Sequence, residues 1–378
     1  MKTWIEISAA ALKHNIRAFR EHLAKNVSIM AVVKANAYGH GLVESAKIFG
    51  QAGAVCFGVD NVEEGMVLRK SGIKKPILIL GYTVQNRLKD CIKNNLSFVV
   101  YNSETIRALG KLKIGGRGGR RALVHLKIET GTGRQGVAGA ELEKLIKQIK
   151  RTSGVVVEGA YTHFANIEDT TDHSYADRQL KKFQAALALL KKYNIDPLWK
   201  HTACSAAAIL FPETHFNLVR LGISAYGLWP SKETLAVARQ HKRLLELQPA
   251  LTWKTVVAQV KNVKRGEAIS YGLTERVSRN SQIAVLPVGY CDGYDRGLSG
   301  SAYVLIHGRR AKIMGRVCMN MMMADVTDIP RVKVEDEVVL LGRQYKEIIT
   351  AEELANRLGT ISYEVMARLN PGIIRQVV

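Results

Sequence analysis

The chain is predicted to be an α/β protein: an N-terminal (β/α)8 TIM-like barrel followed by a C-terminal mostly β domain. Three observations carry this. Short β-rich apolar runs recur eight times between residues 28 and 220. Amphipathic stretches separate them, with apolar residues at three- and four-residue spacing. After about residue 245 the alternation gives way to Val, Ile and Thr runs divided by Gly, Asn and Asp turns. The expected division is 1–240 for the barrel and 241–378 for the β-rich part, and 378 residues suit such a pairing better than one ordinary domain.

The candidate barrel strands are 28–33, 54–59, 76–80, 96–100, 122–128, 155–161, 198–202 and 216–220. Segments such as 103–113, 140–150 and 175–193 between them present one apolar face each, as helices packed on a barrel should. The stretch 232–248 has little pattern and reads as a linker. Beyond it, 251–260, 282–288, 302–306, 311–314, 322–326 and 337–341 read as strands. One late helix, 350–358, opens with Thr350 and Glu353 spaced as a capping box.

Composition narrows the function classes. A hydrophobic share of 47% with 23% charged residues describes an ordinary globular chain and excludes disorder. Lys and Arg number 55 against 33 Asp and Glu, a net charge of +22. The basic residues are scattered in pairs such as Lys181-Lys182 and Arg309-Arg310, so solvated faces explain them better than a nucleic-acid tract. Gly115-Gly116-Arg117-Gly118-Gly119-Arg120-Arg121 is one short copy and reads as a loop. Five cysteines without a CxxC spacing point to a reducing compartment. No apolar window approaches the ~18 residues of a membrane span, and charges interrupt the N-terminal segment, so a cytoplasmic location without membrane or nucleic-acid partners is expected.

In a barrel of this kind chemistry collects where the strands end at their C-terminal face. The first strand runs into Val33-Lys34-Ala35-Asn36-Ala37-Tyr38-Gly39-His40-Gly41. A lysine at the tip of an apolar strand is partly desolvated and can act as an amine nucleophile or base. Taken alone, a lysine that merely reaches solvent is the simpler reading. Further strings follow in order: Lys127-Ile128-Glu129-Thr130-Gly131-Thr132-Gly133-Arg134, Tyr161-Thr162-His163-Phe164-Ala165, His201-Thr202-Ala203-Cys204-Ser205-Ala206 and Arg220-Leu221-Gly222-Ile223. The β-rich part holds Ser270-Tyr271-Gly272, Gly289-Tyr290-Cys291-Asp292-Gly293, Gly315-Arg316-Val317-Cys318-Met319 and Ser362-Tyr363-Glu364.

Together these strings resemble the alanine racemases, the barrel-type pyridoxal phosphate enzymes, over essentially the full length. The resemblance implies an isomerase that interconverts L- and D-alanine by two-base proton transfer and supplies D-alanine for peptidoglycan. It implies pyridoxal 5'-phosphate as cofactor, on Lys34 as a Schiff base, with Lys34 and Tyr271 as the acid/base pair on opposite faces of the substrate Cα. Tyr38, Ser205, the amides of Gly222 and Ile223, and Tyr363 match the phosphate ligands. Arg220 matches the group facing the pyridine nitrogen, and His163 links it to the tyrosine. Since a guanidinium does not surrender its proton, the ring is expected to remain a moderate electron sink. Arg134 matches the clamp on the substrate carboxylate, helped by the backbone amide of Met319. Lys127 matches a lysine that is carbamylated in many such enzymes, and it reads equally well as a plain structural lysine. Tyr290 and Tyr363 would narrow the entrance and favour a small amino acid. The resemblance further implies a homodimer in which the β-rich part of one subunit completes the barrel site of the other. No metal is implied.

Two positions depart from the family pattern: Cys204 stands where Asn is common, and Asn320 where Asp is common. Neither removes a proton-transfer group, but both put substrate preference in doubt and leave serine or another small amino acid as alternatives. A barrel-type decarboxylase of basic amino acids is a further rival, since Cys291-Asp292-Gly293 fits its motif, but the glycine-triplet phosphate loop of those enzymes is missing from the barrel half. A cofactor-carrying binding protein would lack the β-rich half.

Overall fold

The computed structural model describes residues 1–112, 114 and 119–378. It divides into two compact units: Leu12–Ala37 with Leu42–Gln248, and Met1–Ala11 with Tyr38–Gly41 and Pro249–Val378.

The first unit is the barrel. Its eight strands, Ser28–Val32, Cys56–Val59, Ile77–Ile79, Ser97–Val100, Ala122–Lys127, Val155–Tyr161, Trp199–His201 and Leu218–Leu221, form one parallel sheet in that order, and the eighth strand pairs back onto the first. Between the seventh and eighth strands no ladder forms. Side-chain and loop bonds bridge the seam instead: Lys200 N–H donates to Asn217 Oδ1 (2.8 Å), and Arg220 N–H to the Ala203 carbonyl (3.0 Å). Strands buried on both faces are mostly apolar, as the first three of these are; Met30, Cys56, Leu78, Val99, Tyr161 and Leu218 pack as one buried cluster.

The helices between the strands start where capping residues allow. Asn61 and Asn102 accept the N–H of Glu64 and Thr105 to open Val62–Lys70 and Ser103–Lys111. Gly139–Arg151 buries Leu142, Leu145, Ile146 and Ile149, the stripe its three- and four-residue spacing implies. The expected loop at 115–121 falls mostly on 115–118, and the expected end of the helix 103–113 on 113, outside the described residues.

Segment 232–248 is not plain linker. Ser231 caps a helix, Lys232–Gln240, that buries Thr234, Val237 and Ala238; three inward residues in two turns are too few for the pattern to stand out in sequence.

The second unit is a mostly antiparallel sheet in the order Gln259–Val263, Ser281–Leu286, Met322–Asp325, Arg309–Met314, Tyr303–Ile306, Glu337–Gln344, Leu251–Val256, Thr3–Ile7 and Arg375–Val377, with Glu347–Ile349 paired to Glu337–Gln344. Thr350 caps Ala351–Leu358 through the Glu353 N–H (3.0 Å), as the capping-box spacing predicts. The chain is not divided by a single cut at 240/241. Thr3–Ile7 pairs antiparallel with Leu251–Val256, so the N-terminal strand belongs to the β-rich unit. All five cysteines are free. No helix among the described residues is long and apolar enough to cross a membrane, and no group of three or more His, Cys, Asp or Glu among them could hold a metal ion.

Candidate active site

Lys34 is half-buried, two residues past the end of the first barrel strand. The backbone then turns left-handed for four consecutive non-glycine residues, with φ of 53° at Ala35, 52° at Asn36, 53° at Ala37 and 51° at Tyr38. Each such residue costs about 1–2 kcal/mol in an L-chain, so the turn must be held from outside. Glu64 does much of this. Its carboxylate accepts the Ala35 N–H (2.7 Å) and the Asp60 N–H (2.8 Å). Asn36 Oδ1 accepts the Leu42 N–H (2.9 Å), and Ala37 N–H donates to the Val33 carbonyl (2.8 Å). The amine of Lys34 is thereby attached to a strained, tied segment rather than to a mobile loop.

Arg220, on the eighth strand, is 5% exposed. Its Nη1 donates to His201 Nδ1 and to the His201 carbonyl, both at 2.9 Å. Its Nη2 reaches the carbonyls of Thr162 and Thr202, both at 2.9 Å, and His163 Nδ1 at 3.2 Å. Both terminal nitrogens are thus engaged by protein, and among the described residues no hydrogen bond is found for Arg220 Nε. A guanidinium only donates. His163 Nδ1 must therefore be the acceptor, and its ring carries its proton on Nε2. Desolvation of the His163 ring, and after it the charge of Arg220, holds His163 well below the usual histidine range, so this imidazole is neutral at physiological pH.

Lys127 ends the fifth strand, 6% exposed. Burial above all, then the charges of Arg220 and Arg134, pushes its amine down to about 7. The Tyr161 ring lies beneath it, 4.7 Å from the amine to the centroid. Glu129 organises the loop that carries Arg134. Burial opposes its charge, but backbone N–H groups of Gly131, Gly133, Thr132 and Arg134 outweigh that and hold it below its usual range. Gln179, fully buried, ties this loop to the next: it accepts the Ala165 N–H (2.9 Å) and donates to Thr130 Oγ1 (3.0 Å). Ser205 is buried at the start of Ser205–Leu210 and accepts the Gly222 N–H (3.0 Å); Ile223 opens the short turn that follows.

Residues 34, 127, 134, 163, 205, 220, 222 and 223 therefore all lie at or just beyond C-terminal strand ends of the barrel unit. Glu64, Glu129 and Gln179 were not singled out from sequence. Glu64 and Gln179 sit inside amphipathic helices, where a polar residue looks like solvent face.

The remaining predicted residues lie in the β-rich unit. The Tyr38 and Tyr363 rings are 6.1 Å apart. Tyr271 follows Ser270, whose φ of 68° and ψ of −176° are a glycine-only combination; the Ser270 hydroxyl bonds the Arg316 carbonyl (2.6 Å) and holds it. Tyr271 is 74% exposed and Met319 56% exposed, and with Tyr290, Arg316 and Met321 they line one open groove. Large apolar side chains gathered in one exposed patch mark a surface that receives something. Tyr290 and Cys291 donate their N–H to the Cys318 and Met319 carbonyls, both at 3.0 Å. Cys204 is half-buried at the cap of Ser205–Leu210, and Asn320 is exposed.

Two family models match this chain: the alanine racemase N-terminal domain over residues 7–230 and the alanine racemase C-terminal domain over residues 250–377. The chain is 45% identical over 375 residues to an alanine racemase of Symbiobacterium thermophilum, covering 99% of this chain and 96% of that protein. An alanine racemase of Leptospira interrogans is 39% identical over 380 residues, covering 100% and 96%. The crystal structure of alanine racemase from Bacillus anthracis with bound L-Ala-P superimposes with a TM-score of 0.92 at 37% identity, covering 100% of this chain and 95% of that one.

Proposed function

The chain belongs to the alanine racemase family through both of its domains, and from that premise we propose how its own residues interconvert L- and D-alanine. It is an isomerase acting on a small amino acid. The observation that carries the reading is Arg220: a buried guanidinium at the barrel's C-terminal end, with both terminal nitrogens bonded to protein and its Nε without a hydrogen bond among the described residues. That N–H suits the pyridine nitrogen of pyridoxal phosphate, a neutral acceptor, and the guanidinium of Arg134 suits a substrate carboxylate.

Pyridoxal phosphate, when bound, supplies an electron sink that makes the substrate Cα–H acidic. The remaining work belongs to the protein. Lys34 would hold the cofactor and carry the proton on one face of Cα, while Tyr271 would carry it on the other. A phenol near pKa 10 needs help to serve as a base. His163 supports it, since Arg220 forces its proton onto Nε2 and leaves that N–H to donate to a phenolate. Ser205, the Ile223 amide and the hydroxyls of Tyr38 and Tyr363 would bind the phosphate, joined by the Gly222 amide on exchanging its bond to Ser205 Oγ for one to the phosphate. Arg134 would clamp the substrate carboxylate with the Met319 amide. Lys127, pushed down to about 7, holds near neutral pH a large share of the free amine, the form that attacks carbon dioxide with formation of an N–C bond and release of one proton; as a carbamate it would support Arg134. Tyr290 and Tyr363 would restrict the entrance to small side chains.

Tyr271, Met319 and Tyr290 lie on an exposed groove of the β-rich unit, which supports a homodimer in which this groove completes the partner's barrel site. A cytoplasmic homodimer supplying D-alanine to peptidoglycan is the setting this reading implies, with no nucleic-acid or membrane partner. The test is to incubate the protein and pyridoxal phosphate with L-Ala, L-Ser and L-Lys separately and resolve the enantiomers. D-alanine is expected as the main product. Lys34→Ala should lose the absorbance of lysine-bound cofactor, whereas Tyr271→Phe should keep it and lose roughly 100-fold or more in turnover. No D-isomer from any of the three would end the racemase reading.

A further inference from the structure

Behind Arg220 the barrel interior holds a row of polar groups that proton transfer at Lys34 does not use. Arg220 Nη1 can only donate, so His201 Nδ1 is a lone pair and the His201 proton lies on Nε2. That nitrogen is 2.9 Å from His125 Nδ1. His125 must accept there and carry its own proton on Nε2, which lies 3.2 Å from Glu158 Oε2. Ser97 Oγ donates to the same carboxylate oxygen at 2.5 Å. With a donor fixed at one end and a carboxylate at the other, one proton assignment satisfies every link. A doubly protonated His125 would donate to His201 Nε2, push the His201 proton onto Nδ1 and set N–H against N–H at Arg220. Burial of both rings, and then the charge of Arg220 on His201, favour the neutral forms that this assignment requires.

The backbone is shaped around this row. In the ladder between the fifth and sixth strands Val124 faces Val157 but His125 faces Gly159, so Glu158 is one extra residue in its strand. Such a bulge re-aims a side chain. Gly159 is needed as glycine: a Cβ there would lie 2.2 Å from His125 Nδ1. Tyr161 stacks flat on His201, with centroids 4.8 Å apart and planes 2° apart, which fixes the plane of that ring.

We propose that Glu158 is a positioning residue for the racemase site: accepting from His125 at the far end of the row, it fixes together with Arg220 the tautomers of His125 and His201 and keeps the guanidinium aimed at the barrel mouth. The proposal rests on the reading of Arg220 as the group facing the cofactor ring. Without the carboxylate only the Arg220 end selects the tautomers, so both imidazoles reverse more readily, and in the reversed form Arg220 loses an acceptor and its alignment.

The experiment pairs neutron diffraction from deuterium-exchanged crystals of the cofactor-loaded protein with steady-state racemisation. In the wild type, deuterium is expected on Nε2 and not on Nδ1 of both His125 and His201. In Glu158→Gln, whose amide can donate as well as accept, deuterium should divide between the two nitrogens. Its kcat for alanine should fall about tenfold per bound cofactor, with KM within about twofold. A purely structural role would cost stability and leave kcat per bound cofactor unchanged. Deuterium on Nδ1 of either ring in the wild type overturns the proposal, as does wild-type kcat in Glu158→Gln. Should that variant not fold, the wild-type deuterium positions still decide. Absence of racemisation in the wild type would sink the functional reading alone, because the tautomers are read without turnover.

Discussion

Lys127 shows how much a single buried group can report. Its amine is brought to about 7 from 10.5, first by burial and then by Arg220 and Arg134. Between those two values the unfolded chain binds a proton that the folded chain does not, so protons favour unfolding there. Stability should therefore rise from about pH 7 upward and level off near the unfolded value, and it should be lost again as pH falls toward 7. The slope contributed by this one group is at most about 1.4 kcal/mol per pH unit. Denaturant titrations from pH 7.5 to 9.5 in buffer free of carbon dioxide should show it in the wild type and lack it in Lys127→Met. Equal slopes in the two proteins would mean that Lys127 keeps its charge inside the folded barrel. The sequence around Lys127 does not announce its state, because the largest charge effect on the amine comes from another strand: Arg220 is ninety-three positions away.

Most of the eight parallel strands were legible because they are short, largely apolar runs bounded by turn residues, and Lys34, Lys127, His163 and Arg220 were legible because each interrupts or follows such a run. What holds those residues was not. Glu64 reads as solvent face on the helix Val62–Lys70, yet it binds the backbone of the left-handed turn after Lys34. Thr3–Ile7 is five residues whose partner strand, Leu251–Val256, is far away in sequence, so periodicity cannot assign it to a sheet. Helix Lys232–Gln240 is too short for its apolar face to rise above the surrounding polar residues. The bulge at Glu158 is invisible for a related reason: Val155–Tyr161 has the composition of any strand, and only the register against His125 exposes the extra residue. Register makes a definite claim about Gly159. A methyl group there meets the His125 ring, which is bonded on both sides and cannot move freely. Gly159→Ala should cost about 1–3 kcal/mol by overpacking, read as a lower denaturation midpoint. An unchanged midpoint would show that the ring does not occupy this space.

The chain carries its proposed acid/base pair on separate compact units, Lys34 on the barrel and Tyr271 on the β-rich sheet, and Tyr271 is 74% exposed. A phenol that must work as a base in a dry site gains nothing from solvent exposure, which favours the reading that another copy of the chain covers it. Symmetry turns this into a sharp expectation. In a two-fold dimer with shared sites, each site takes Lys34 from one subunit and Tyr271 from the other. Lys34→Ala and Tyr271→Phe homodimers are then both inactive. When the two variants are unfolded and refolded together, half of the dimers are mixed, and each mixed dimer has one site with both groups intact and one with neither. About a quarter of wild-type activity should return, measured as D-alanine formed per total chain with pyridoxal phosphate present. If each subunit instead completed its own site, every site in the mixed dimer would lack one group and no activity would return. The mixture thus separates the two arrangements by presence against absence of product, and a silent mixture, with both parents shown to refold and mix, would remove the shared site from this account while leaving each unit's own geometry in place.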